Sequence, residues 1–98
     1  MSAPDKDKIT REMVLLNKYG MHVRPAGLFA KVASRYRADV MVVKDNNAVS
    51  GKSIMALMTL EAVCGSKLKV IASGPDADLV LDELQALVER KFDIPDEQ

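Results

Sequence analysis

The single histidine, His22, stands in the run Gly20-Met21-His22-Val23-Arg24-Pro25-Ala26. An arginine lies two residues on, and a proline follows it. Beyond them Leu28, Phe29, Val32, Ala33 and Tyr36 recur at helical spacing. Proline suits a helix's first turn, because its missing N–H would have no intrahelical partner there. The pattern therefore puts His22 at, or just before, a helix N-terminus. Unpaired N–H groups and the positive end of the helix dipole favour an anion at that point. Arg24 brings a cationic fork whose shape matches phosphate oxygens. A neutral imidazole in this setting offers a nucleophilic nitrogen beside a place for phosphate. Such a group can accept a phosphoryl group and pass it on. The same residue types also fit a plainer arrangement, in which His22 only caps the helix and Arg24 is a solvated charge.

A second stretch bears on partners. Ser53, a favoured N-cap residue, precedes a short helical pattern from Ile54 to about Val63. That segment is apolar almost all round. A small domain cannot bury every side of a peripheral helix, so some of Ile54, Met55 and Met58 are expected to face solvent. Apolar patches of this kind mark partner surfaces, and methionine side chains can re-pack against several partners. A core helix with methionine as filler is the alternative.

The other elements must hold these two stretches in place. Ile9 to Asn17 reads as a strand, with Met13 and Leu15 on one face and Val14 and Leu16 on the other. Lys18-Tyr19-Gly20 breaks it, and the first helix runs from about Val23 to Tyr36. Val40 to Lys44 is a short apolar strand. Asp45-Asn46-Asn47 supplies a tight turn, and Ala48 to Ser50 returns as its hairpin partner. In Lys67 to Ser73, Leu68, Val70 and Ala72 should face in, and Lys67 and Lys69 out. Asp76 is a candidate N-cap for a last helix, Ala77 to about Lys91, with Val80, Leu81, Leu84, Leu87 and Val88 as its buried stripe. The order is β-α-β-β-α-β-α. It implies an α+β fold, a two-layer open-faced sandwich whose four-stranded antiparallel sheet is covered on one face by three helices. All 98 residues are expected to form one domain, with an ordered core over about 9–92 and loose ends at 1–8 and 93–98.

Composition narrows the function. Fourteen Lys and Arg balance fourteen Asp and Glu, which argues against broad binding to nucleic acid or membrane surfaces. Arg24, Lys31, Arg35 and Arg37 lie near one helix, so a small RNA- or metabolite-binding module is a rival reading. No aromatic pair sits on a strand to stack bases, however. The single cysteine, Cys64, cannot form an intrachain disulfide. It fits a reducing compartment and reads as a small buried residue. One His and one Cys cannot build a tetrahedral zinc site of the usual ligands. No apolar run approaches the roughly 18 residues of a membrane span, and residues 1–8 lack the apolar stretch of a signal peptide. A cytoplasmic protein is expected.

The motif around His22 resembles the active-site motif of the HPr family, the histidine-containing phosphocarriers of the bacterial phosphoenolpyruvate-dependent sugar phosphotransferase system. Lys52-Ser53-Ile54-Met55, with Met58, resembles that family's second signature, and the spacing between the two also matches. The resemblance runs from about Met13 to Lys91. It implies that His22 carries the phosphoryl group on Nδ1 and that Arg24 helps hold it. Ser53 matches the serine that an ATP-dependent HPr kinase/phosphorylase modifies in many bacteria. Ile54, Met55 and Met58 match the patch that docks on partners. Those partners are enzyme I, which donates the phosphoryl group, and the IIA domains of sugar permeases, which receive it. In some bacteria a catabolite-control transcription factor binds the serine-phosphorylated form. Such a protein is a stoichiometric carrier rather than an enzyme, needs no cofactor or metal, and is expected to be a monomer. Glu61 stands where many members have glycine. A nitrogen-regulatory paralogue, or a member acting only through Ser53, is left open.

Overall fold

The computed structural model describes residues 8–95. Strand β1 spans Lys8–Val14, helix α1 Val23–Ser34, strand β2 Asp39–Lys44 and strand β3 Asn47–Ser50. Helix α2 spans Ile54–Met58, strand β4 Lys67–Ser73 and helix α3 Ala77–Glu89, and a 3-10 turn, Lys91–Asp93, follows. The strands form one antiparallel sheet in the order β1-β4-β2-β3. The helices lie against one face of it, giving the open-faced α+β sandwich that the pattern implied.

Side-chain alternation builds this arrangement. Leu68, Val70 and Ala72 of β4 are buried while Lys67 and Lys69 face solvent, because successive strand residues point to opposite faces. Register carries the covered side across the sheet. Val70 lies opposite Val42, and Leu68 opposite Met13. Phe29 and Ala33 from α1, Leu57 from α2 and Val80, Leu81 and Leu84 from α3 close over it, all fully buried. Each such leucine or phenylalanine contributes about 1.5–3 kcal/mol by leaving water. Arg11, also on the covered side, reaches α3 and bonds Asp82 at 2.8 Å and Gln85 at 3.0 Å.

Several boundaries differ from the pattern, each for a tertiary reason. β1 stops at Val14 rather than Asn17. Leu15 leaves the ladder to exchange backbone hydrogen bonds with Gly65 and Ser66. α1 stops at Ser34, not Tyr36. The N–H groups of Arg37 and Ala38 turn instead to the Asp76 carboxylate, at 2.9 and 2.8 Å. Asp76 does stand at the N-cap of α3, but its side chain caps nothing in that helix.

α2 ends at Met58, well short of Val63. The Thr59 hydroxyl donates to Ala56 O, and Glu61 takes a left-handed φ of 50°. Leu60 and Ala62 are then buried from a non-helical chain. Cys64 is exposed rather than buried. α3 ends at Glu89. Beyond it Lys91, Phe92 and Asp93 are all left-handed, with φ of 56°, 59° and 58°. That conformation costs roughly 1–2 kcal/mol per non-glycine residue, and here it turns Phe92 into the core at 1% exposure. Of the expected loose ends, Lys8 opens β1 and Ile94 packs on the core. Residues 1–7 and 96–98 lie outside the described residues.

Candidate functional site

His22 is the N-cap of α1, with φ −93° and ψ −169°. Its carbonyl accepts the Ala26 N–H at 2.9 Å, and its own N–H donates to Gly20 O at 3.0 Å. Gly20 is required there twice over. Its φ is +68°, and a Cβ would fall 2.2 Å from Ala62 O. Met21 N–H donates to that same Ala62 oxygen at 2.9 Å. The loop before the helix is thus fastened to the stretch after α2.

Asn17 fastens it from the other side. It is 4% exposed, and its Nδ2 donates to Gly20 O at 2.7 Å. Its Oδ1 is buried without a hydrogen-bond partner among the described residues. Sequence reasoning passed over Asn17. The signal was its parity with Met13 and Leu15, which makes it a polar residue at an inward-facing position.

The tip of α1 is open to an anion. Pro25 has no N–H, and the N–H groups of Val23 and Arg24 have no partner among the described residues. The first turn contains no acidic residue. Arg24 is exposed and makes no ion pair with any described residue. His22 is half-buried. The two residues that the sequence singled out therefore sit in one helix start, where the dipole puts partial positive charge and the chain adds an arginine.

Ser53 is the N-cap of α2, and its Oγ accepts the Ala56 N–H at 3.1 Å. Ile54, Met55 and Met58 are exposed, Met55 at 79%. Ile54 rests beside α1, since a Cβ on Gly27 would lie 3.9 Å from its Cδ1. The apolar patch thus borders the helix that His22 begins. An open groove of about 360 Å³ runs along α1, lined by Val23, Arg24, Gly27, Leu28 and Lys31. Val23 and Tyr19, both more than half exposed and flanking His22, add apolar surface that sequence reasoning did not single out.

Lys52 Nζ donates to Tyr36 O at 3.0 Å. The Tyr36 hydroxyl donates to Glu83, which also pairs with Arg35 at 2.8 Å. The bond to Glu83 holds the Tyr36 hydroxyl above its ordinary pKa. Among the described residues no three His, Cys, Asp or Glu side chains gather as metal ligands. No described helix is long and apolar enough to cross a membrane.

Fold and site together define a class: small open-faced sandwiches that hold one half-buried histidine at a helix tip. The family model described as the PTS HPr component phosphorylation site matches residues 9–90. Phosphocarrier protein HPr of Treponema pallidum is 38% identical over 85 residues, which span 87% of this chain and 97% of that protein. Phosphocarrier protein NPr of Shewanella violacea is 36% identical over 86 residues, 88% of this chain and 94% of that one. The crystal structure of HPr-C-His from Thermoanaerobacter tengcongensis superposes with a TM-score of 0.85 at 37% identity, covering 89% of this chain and 98% of that chain. The chain belongs to the HPr family of phosphotransferase-system phosphocarriers.

Proposed function

We propose that this protein is a stoichiometric phosphoryl carrier rather than an enzyme, with His22 as its acceptor and enzyme I as its donor. The observation that supports this most is the placement of His22 beside two N–H groups that have no partner among the described residues, in a helix turn free of acid. The lone pair on Nδ1 attacks phosphorus as the donor's P–N bond breaks, and the departing electron pair stays on the donor imidazole. The proton of the neutral ring stays on Nε2. The N–H groups of Val23 and Arg24 and the Arg24 guanidinium balance the phosphate charge. Transfer to a IIA domain of a sugar permease repeats the step in reverse. Phosphoryl transfer depends chiefly on positioning and charge, so no cofactor enters. Ile54, Met55 and Met58 hold the partner in register. In this reading the carrier works in the cytoplasm, as a monomer.

Ser53 adds a control in this reading. A kinase/phosphorylase acting there would place about −1.5 to −2 of charge on the docking face. In bacteria that have one, a catabolite-control transcription factor would read that form. The test is incubation with enzyme I and phosphoenolpyruvate. One acid-labile phosphate per chain, lost in His22→Ala, supports the carrier; no incorporation rejects it. Relatives named HPr and NPr match almost equally, at 38% and 36% identity. A carrier serving nitrogen regulation is therefore the second reading, and the IIA domain that drains the phosphate separates the two.

A further inference from the structure

We propose that Tyr19 is a positioning residue that sets the orientation of the His22 ring. Both backbone groups of His22 are committed, to Gly20 and Ala26. Its ring nitrogens hydrogen-bond no described residue. The ring's remaining freedom is therefore torsional, about the side-chain bonds. Tyr19 meets it edge to face, with ring centroids 6.3 Å apart and planes at 81°. This is the arrangement the ring quadrupoles favour.

Lys18 steadies the tyrosine in turn. Its ammonium lies 5.3 Å from the Tyr19 centroid, within reach of a cation–π attraction. Burial does not explain the tyrosine, which is 51% exposed. Cation, phenol and imidazole form a short run of contacts ending at the reactive ring. Its function is to keep one nitrogen aimed outward before a partner arrives, because orientation achieved before docking lowers the barrier to transfer.

The inference rests on the carrier reading, and the test separates the two. Tyr19→Phe keeps the ring; Tyr19→Leu keeps apolar bulk and removes it. On the unphosphorylated proteins, NMR of the His22 ring C–H groups should show the ring-current shift retained in Tyr19→Phe and lost in Tyr19→Leu. In transfer from enzyme I, Tyr19→Leu should lower the saturated rate about two- to tenfold at unchanged KM, with Tyr19→Phe near wild type. Tyr19→Leu with unmoved His22 resonances, or with a raised KM and an unchanged saturated rate, overturns the proposal. The second result would make Tyr19 a docking contact only. If the wild-type chain takes up no phosphate, the carrier reading falls, and the resonances alone decide the ring contact.

Discussion

The Asp76 carboxylate closes the turn that precedes β2: its Oδ1 accepts the Ala38 N–H at 2.8 Å. Its other oxygen takes the Arg37 N–H at 2.9 Å. One acidic side chain thus ties the start of α3 to the end of α1. Those backbone donors hold Asp76 below the usual carboxylate range, the Arg37 N–H first among them, against an opposing push from desolvation.

The direction fixes a pH effect. A carboxyl whose folded pKa is depressed contributes stability in full above its unfolded pKa of about 3.9. That contribution is lost as pH falls through the folded value. Asp76→Asn should therefore be less stable than wild type at neutral pH, and the gap should narrow as pH drops below about 4. Urea denaturation of both proteins across that range checks it, and a gap constant with pH would contradict it.

Glu61 carries a conformation that suits glycine, with φ of 50°. Left-handed backbone costs a residue with a Cβ roughly 1–2 kcal/mol, and glycine gives back about 0.5–1 kcal/mol of that as lost chain entropy. Glu61→Gly should stabilise the protein by up to about 1 kcal/mol. The urea midpoint should rise with the slope unchanged.

Ser53→Asp should separate docking from folding. Aspartate accepts an N–H at an N-cap as well as serine does, so stability should stay within about 0.5 kcal/mol. A negative charge beside Met55 should still slow phosphorylation by enzyme I about tenfold at low salt, and less at high salt. A large loss of stability with normal transfer rejects this account.

Period and local chemistry made much of this structure legible. The alternation of β4 and the stripe of α3 announce themselves, because Leu68, Val70, Leu81 and Leu84 obey one geometric rule each. His22 was placed by Pro25 and Arg24, whose effect is local to a helix start. The misses share another cause. Leu60 and Ala62 continue an apolar run, so nothing nearby says that α2 stops at Met58; the stop needs the left-handed Glu61 and the Ala62–Met21 bond. Cys64 follows buried Ala62 but turns outward with that loop. Asp76 looks like a cap until residues almost forty positions earlier come to meet it. Tyr19 reads as loop filler until its ring is seen against His22.

The hydrogen bond from Met21 to Ala62 also bears on synthesis. A nascent chain that has left the ribosome only through α1 already contains every residue of the histidine motif. It still has nothing on which to rest the loop that shapes it. The surface that receives Gly20 and Met21 arrives some forty residues later. A half-made chain therefore holds the reactive side chain without its setting, and competence waits on the second half of translation.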